Sequence, residues 1–576
     1  MKVNLSLLKL KKICEISHSR YTLNIYGYTY FLSPEEIDFS KAEEDPSILN
    51  LDGEYFLIYT NKVNGKQILF RSHVDSFSIF YFVQDDYIYF TDDLFTALTC
   101  FDAVTWNLRA LSDYFEVGWN NIQKNDHTPF IEIKKLPAGS YVLLSSHLGM
   151  EQIQIESWKK PFYQPTQYTM KNLDEFKVEY LATIKYYLQK IVEDNTSFTV
   201  GGGIDSGTLA ALSTKLFPER RLSFYSTRLN DANDEAFLTN ELNAVLSDSI
   251  KFMDIDCPSD FIKNLKELIH ITQCPYSDIE GITHIDFFKK LQRDNVSKVI
   301  TGFGADLTFG GTPYEYPGLI KKFLKRGYII KAFHVFIAYK CGIGEQYASQ
   351  IQALKAFFYE YILNRLKRLA QKLVNSPSNP SMRYRFTKGK EKSFMNKVDN
   401  KHENLLLVDL PEKLSRKIKT YEDGLQYACT DSALRQLSAI QRSCHMSPFC
   451  PFEGFKFLEL SSKCDQYIYA NMVNKFCLRY SVEDILPDKI IQNKQKFGNG
   501  GYEEELINKN RDGIILYLKK VKEAGWESIV NIDLLMQKFQ NKQFSDDMFR
   551  CLNIIVYEEI LRNELNLNMN VAQTNF

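Results

Sequence analysis

The chain has almost no net charge, no paired cysteines and no long apolar run, and each absence excludes something. Seventy basic residues stand against 71 acidic ones in 576, a formal net charge of −1. Such a balance gives the chain as a whole no pull toward nucleic acid or an anionic membrane. The 11 cysteines are scattered, with no CxxC pair and no Cys/His ligand spacing. That argues against a zinc site or a disulfide framework and fits a reducing compartment. The stretch MKVNLSLLKLKKIC carries lysines throughout and has neither a clean apolar core nor a small-residue cleavage site, so no signal peptide is read there. Tyr328 to Tyr339, the most apolar later stretch, is short and holds Lys331 and His334. It is too short and too charged to span a bilayer. The expectation is a cytoplasmic protein with no membrane span and no nucleic-acid partner. No internal repeat is evident.

What is present is an ordinary globular balance, 44% hydrophobic and 24% charged. A chain of 576 residues is too long for one core, so two or more domains are expected. Residues 1–157 read as strands and turns. DGEYFLIYTN (52–61), KQILFRS (66–72), FSIFYFV (77–83) and DYIYFTD (86–92) are aromatic, partly alternating runs separated by turn residues such as Asn64-Gly65 and Asp85-Asp86. They predict a meander of antiparallel strands. Residues 158–172 hold Pro161 and Pro165 and read as a linker. From residue 173 to 576 the pattern becomes helical segments alternating with short apolar strands: helix 174–192, strand 197–200, helix 207–215, strand 222–226, helix 234–246, strand 250–254. That alternation predicts a doubly wound parallel sheet, in which ligands bind at the carboxyl ends of strands. Residues 319–401 are rich in Lys and Arg and hold four acids, Glu345, Glu360, Glu391 and Asp399. This basic insertion, about 318–401, reads either as a solvated helical insertion or as a docking face for an acidic partner or peptide.

The most informative stretch is SFTVGGGIDSGTLAALS (197–213). A short strand runs into three glycines, then Asp205 and Ser206, then good helix formers. Glycines let the backbone approach a ligand closely, and the N–H groups that open the next helix are unpaired and partly positive. Together they form a phosphate cradle. Asp205 adds a carboxylate that can hold Mg²⁺ on phosphate oxygens. The loop lacks the Gly-Lys-Ser/Thr ending of a Walker A motif. After the strand Lys298 to Ile300 comes TGFGADLTFGG (301–311), a second glycine turn with its own carboxylate, Asp306. Two such loops on neighbouring strand ends can share one Mg²⁺. Taken singly, either loop also reads as a plain glycine turn.

These residues carry a resemblance to a known family. GGGIDS resembles the SGGxDS pyrophosphate loop of ATP pyrophosphatases, with Gly201 in place of the first Ser, and TGFGADLTFGG resembles the SGxGxDExFGG motif of the asparagine synthetase superfamily. SFYSTRLNDANDEAFLTNEL (223–242) is similar to the strand and helix that flank the adenine. LPDKIIQNKQKFGNG (486–500) is similar to the segment with the catalytic lysine, which falls on Lys494. SPFCPFEGFKFLEL (447–460) loosely resembles the family's PFxDxxxxxF helix. LDGEYFLIYTN, FRSHVDSFSIFYF and IKKLPAGSYVLL are similar to its glutaminase-like domain. The implied architecture is an α/β and α+β chain. An N-terminal Ntn-type glutaminase-like β-sandwich would precede a doubly wound ATP-pyrophosphatase domain with helical insertions.

The resemblance implies ATP and Mg²⁺ as cofactors. It assigns nucleotide contacts to Val200, Gly202, Gly203, Asp205, Ser206, Ser226, Gly302 and Gly304, metal contacts to Asp205 and Asp306, and transition-state charge to Lys494. By itself Lys494 also reads as a solvated lysine in a run with Lys489 and Lys496. Glutamine-hydrolysing members use an N-terminal cysteine. Here the chain opens Met1-Lys2-Val3 and its first cysteine, Cys14, reads as a buried core thiol. The expectation is a first domain without glutaminase chemistry and an amine drawn from the substrate. Position 303 is Tyr in β-lactam synthetases and Glu in asparagine synthetases. Here it is Phe303, which with the basic insertion resembles the lasso-peptide cyclases. The implied activity is AMP-forming closure of a macrolactam in a precursor peptide, with a leader-binding protein and a leader protease as pathway partners. A β-lactam-type synthetase, an ammonia-dependent amidotransferase and an inactive ATP-binding scaffold remain the alternatives. No general base is named; His284 is one possibility, though such a residue is more often a packing one.

Overall fold

A computed structural model describes residues 2–30, 37–74, 76–117, 127–144, 155–157, 167–228, 234–255, 260–275, 279–310, 315–342, 349–363, 405, 407, 432–493, 502–525, 528–542 and 545–571. Its centre is a five-stranded parallel sheet built from β1 (Ser197–Thr199), β2 (Ser223–Arg228), β3 (Lys251–Asp254), β4 (Lys298–Ile300) and β5 (Ser447–Phe449), in the order β3-β2-β1-β4-β5. Every neighbouring pair is parallel. The order reverses between β1 and β4, which makes their carboxyl ends the topological switch point where open α/β sheets bind ligands.

Side-chain alternation covers both faces. Phe224 of β2 and Ile300 of β4 enter one core, while Tyr225 and Val299, one residue away, enter the other. Successive strand side chains point to opposite faces, so near-continuous apolar runs are what a two-faced sheet requires. On the first face lies helix α1 (Leu173–Ile191), whose Phe176, Tyr180, Ile184, Tyr187, Leu188 and Ile191 form one buried stripe. Beside it run α2 (Ile204–Leu216), α4 (Phe455–Ser462) and α5 (Phe476–Ser481). The second face is covered by helices Phe261–Thr272, Glu280–Arg293, Tyr502–Glu523 and Asp546–Asn563.

The strands between residues 52 and 92 fall into two sheets rather than one meander. Gly53–Asn61 and Gln67–Arg71 pair antiparallel inside a six-stranded sheet, while Ile79–Gln84 and Tyr87–Thr91 pair inside a separate four-stranded one. Phe56, Ile58, Leu69 and Val142 of the first pack against Ile79, Tyr81, Ile88 and Phe90 of the second. The break follows Arg71. This side chain is fully buried, and its guanidinium donates to the carbonyls of Leu136 and Phe77, holding the chain where it leaves one sheet for the other. Cys14 sits in the strand Lys12–Ser17 and is half-buried against the first sheet's core, less enclosed than its sequence suggests.

Two further departures bear on the site. Strand Asn568–Val571 pairs with Ala103–Trp106, so one apolar core joins Trp106 and Phe130 to Tyr557 of the carboxyl-terminal helices. Within the segment read as a linker, Tyr168 is buried and exchanges backbone hydrogen bonds with Lys463 and Asp465. Three helices of the basic insertion, Glu315–Lys325, Ile329–Gly342 and Gln350–Phe357, pack on one another around Phe323, Phe336 and Phe357. Its residues 364–401 lie outside the described residues. Among the described residues no helix is long and apolar enough to cross a membrane.

Candidate active site

The two glycine loops meet at the switch point. Val200 N–H donates to Tyr225 O at 2.8 Å, which ties the first loop to β2 beside the buried Ser226. Helix α2 begins at Ile204 with Gly203 as its N-cap, earlier than the sequence pattern suggests. Asp205 and Ser206 therefore lie inside its first turn, where a carboxylate is favoured by the helix dipole and the free N–H groups point outward. Ser206 Oγ accepts a hydrogen bond from Gly201 N–H at 3.1 Å, closing the loop on itself. Gly203 is exposed, and a Cβ there would touch nothing within 4 Å, as expected of a wall left open for a ligand.

The second loop is pressed onto the first. A Cβ on Gly302 would lie 2.5 Å from Ser206 N. Gly304, in the left-handed region at φ +90°, would put a Cβ 2.5 Å from the Glu453 carboxylate. Neither position admits a side chain. Asp306 sits in the first turn of helix α3 (Ala305–Phe309). Phe303 packs against Val74, Leu434 and Cys450, so no titratable group stands at that position.

Asp205 and Asp306 converge on one cation, which the sequence did not foretell. Lys475 Nζ contacts Asp205 Oδ2 and lies 2.5 Å from Asp306 Oδ1. Lys475 is buried and is the N-cap of α5, in the left-handed region at φ +53°. Burial alone would lower its pKa, but Asp205 and Asp306 outweigh that and hold it above the ordinary lysine value. One turn on, Arg479 donates to Asn474 O at 2.8 Å and to Ile491 O at 2.5 Å. Burial lowers its pKa to about 10. Arg479 thereby ties the lysine's turn to the end of helix α6 (Asp488–Gln492). Lys494, the residue assigned to catalysis from the sequence, lies outside the described residues, two beyond that helix.

The pair fits a hard divalent cation, since two carboxylates from separate strand ends already surround a single positive charge. Among the described residues no group of three His, Cys, Asp or Glu side chains is placed to hold a metal. Magnesium here would complete its shell from phosphate oxygens and water, its usual habit.

The N-terminal sheets reach the underside of this site. Asp52 Oδ1 accepts from Phe455 N–H at 2.9 Å and Asp52 Oδ2 from the Tyr187 hydroxyl at 2.6 Å. The first contact caps α4 across a separation of 403 residues. The family's helix pattern carries an Asp at the position of Gly454, where a Cβ would fall 2.2 Å from the Tyr187 ring. His73 Nε2–H donates to Glu453 O at 3.1 Å. The seam is thus anchored directly beneath Gly304.

The family model for asparagine synthase matches residues 194–514, more than half of the 576-residue chain. The chain belongs to the asparagine synthase family. Members are ATP-dependent ligases that form amide bonds, and this asparagine synthase family member is an enzyme of that kind. No curated protein matches it. Both glycine loops, α5 and the Arg479 anchor fall inside the matched residues.

The structure brings Val200, Gly202, Gly203, Asp205, Ser206, Gly302, Gly304 and Asp306 to one end of the sheet, with Ser226 on the adjacent strand. Sequence reasoning missed Lys475, Arg479 and Asp52. Lys475 and Asp52 carry no local signal, since their partners lie 270 and 403 residues away in the chain. His284 is half-buried on the helix Glu280–Arg293, on the far side of the sheet from α1.

Proposed function

We propose that this enzyme activates a carboxylate as an acyl-adenylate, with AMP and pyrophosphate as by-products, and closes a macrolactam in a ribosomally made peptide of the lasso type. One observation carries the reading: Asp205 and Asp306, from the two loops at the switch point, meet around a single positive charge, Lys475. A carboxylate has no adequate leaving group until it is joined to the α-phosphate of ATP. Val200, Gly202, Gly203, Ser206, Gly302 and Gly304 form the cradle for the phosphates. Ser226 faces the nucleoside, and Lys475 neutralises charge on the departing pyrophosphate. Asp205 and Asp306 would hold magnesium, which when bound would supply Lewis-acid stabilisation of that leaving group. Lys494 carries the charge that develops on the carbonyl oxygen when the amine attacks. Such catalysis is mainly positioning and charge stabilisation.

The amine is the N-terminus of the same peptide. Residues 2–157 are read as a glutaminase-like sandwich that has become a support. Cys14 lies within a paired strand, and Asp52 and His73 hold α4 and the residue under Gly304. Phe303 offers no acid or base, which favours a peptide amine over β-lactam chemistry. A leader-binding protein and a leader protease would deliver the peptide.

Incubation with Mg²⁺, ATP and a precursor peptide, followed by separation of nucleotides and mass analysis, tests the reading. The expected products are AMP, pyrophosphate and a peptide lighter by one water; an N-acetylated peptide is adenylated but not cyclised. ADP with orthophosphate as the main products overturns the adenylation chemistry. Product formation that requires glutamine overturns the cyclase.

A further inference from the structure

We propose that Lys475 is a built-in counter-ion that closes the Asp205/Asp306 pair to free divalent cations and makes metal entry conditional on nucleotide. The inference rests on the ATP reading above. Its basis is geometry: the ammonium occupies the point on which both carboxylates converge, touching Asp205 and lying 2.5 Å from Asp306. This is not a mobile surface lysine. Lys475 is 6% exposed. Its backbone is held at φ +53°, a conformation that L-residues other than Asn and Asp seldom adopt. The turn is fixed from both sides, by Arg479 N–H on Lys475 O at 3.0 Å and by the Arg479 guanidinium on the carbonyl and side-chain oxygens of Asn474. The side chain is therefore aimed rather than drawn in.

Two carboxylates and one ammonium leave one negative charge, so a free divalent cation would meet a half-neutralised pair and a like charge inside the site. A triphosphate changes both terms. Its oxygens give the ammonium another anion to pair with, release the carboxylate oxygens and add oxygen ligands of the kind magnesium prefers. Metal and nucleotide then enter as one unit, and departure of pyrophosphate returns Lys475 to the carboxylates.

Manganese(II) is the probe, followed by the loss of its free-ion paramagnetic resonance signal. Without nucleotide, wild-type enzyme and Asp205→Asn should bind Mn²⁺ equally weakly. Lys475→Met should gain a site at least tenfold tighter than wild type, lost again in Lys475→Met/Asp205→Asn. Lys475→Arg keeps the charge and should stay closed. Calorimetry with α,β-methylene-ATP should show binding to wild type with Mg²⁺ and at least tenfold weaker binding with the metal chelated. Tight, Asp205-dependent binding of free Mn²⁺ by wild type overturns the proposal and leaves the ATP reading intact. That measurement needs no lysine variant, so it decides even if Lys475→Met fails to fold. A folded Lys475→Met with no gain of Mn²⁺ affinity also overturns it. If wild type binds no nucleotide analogue even with Mg²⁺, the ATP reading itself fails.

Discussion

Buried charge serves opposite ends in the two halves of this molecule. At the carboxyl end of the parallel sheet, Asp205, Asp306 and Lys475 face a position a ligand can reach, beside an exposed Gly203. At the seam with the N-terminal sheets, Asp52, His73 and Arg71 are more deeply buried than the two site carboxylates, and each is spent on a carbonyl, an N–H or a hydroxyl of the protein itself. The difference teaches how to tell a working charge from a structural one. The working set is made of ion pairs, two carboxylates meeting one ammonium. The structural set is closed by directional hydrogen bonds to backbone and to the Tyr187 hydroxyl.

The comparison can be broken by exchanging outcomes: damage at the site should strike chemistry, damage at the seam should strike stability. The largest effect is expected at the carboxylates. Asp205→Asn or Asp306→Asn should lower pyrophosphate release roughly 100-fold or more, the several kcal/mol that a ligand of the proposed magnesium would contribute, with circular dichroism unchanged. Near-normal release by both variants would reduce the loops to turns.

Next comes the contact between the loops. Gly302→Ala would drive a methyl group to 2.5 Å from Ser206 N and should cost about 3 kcal/mol, in the range of overpacked interiors. Gly203→Ala meets nothing within 4 Å and should leave the melting temperature nearly unchanged. Thermal unfolding of the two variants reads the contrast directly, and equal melting points would deny that the loops are pressed together.

Glu558 gives a pH signature for the core that joins both halves. It is buried in the helix Asp546–Asn563, and burial pushes its carboxyl up to about 7 from 4.5. The folded state then holds a proton that the unfolded state has released, so stability is full below pH 4.5 and falls as pH rises toward 7. The loss approaches about 3 kcal/mol at about 1.4 kcal/mol per unit. Denaturant titrations between pH 5 and 8 should show this slope, and Glu558→Gln should flatten it. An unchanged slope in that variant assigns the pH dependence elsewhere.

Asp52→Asn is the corresponding test of the seam. It weakens a charge-assisted cap on α4 and the contact with Tyr187, and should cost about 2 kcal/mol. Pyrophosphate release per folded molecule should change less than threefold; a loss as large as that of Asp205→Asn would move Asp52 into the working set. The smallest effect is expected at Cys14. Cys14→Ala should leave amide formation unaltered, and enzyme mixed with glutamine should release no glutamate. Glutamate release lost in Cys14→Ala would restore glutaminase chemistry to the N-terminal half.

Local signals sufficed for one class of feature. Asp205, Ser206, Gly302 and Asp306 were legible because glycine turns after short apolar strands leave a pattern within a dozen residues, where backbone freedom, helix N–H groups and carboxylates sit side by side. The parallel sheet was legible for a similar reason, since β-rich runs alternating with helix formers admit few other packings. Its order β3-β2-β1-β4-β5, and with it the meeting of two loops about 100 residues apart, came from the tertiary structure. So did Lys475, which lies 270 residues from Asp205 in sequence. Nothing local marks a lysine as a counter-ion until burial removes its water and the fold supplies its anions. Asp52 repeats the lesson across 403 residues. A meander was expected of residues 52–92, and two sheets formed, because turn residues specify where a chain reverses but not which surface the next hairpin buries. That choice fell to the apolar faces of Phe56, Leu69, Ile79 and Phe90, which could leave water only against each other. Sequence alone determined the chemistry available at each strand end. Only the tertiary structure decided which charges share one point, because burial and electrostatic pairing act through space and not along the chain.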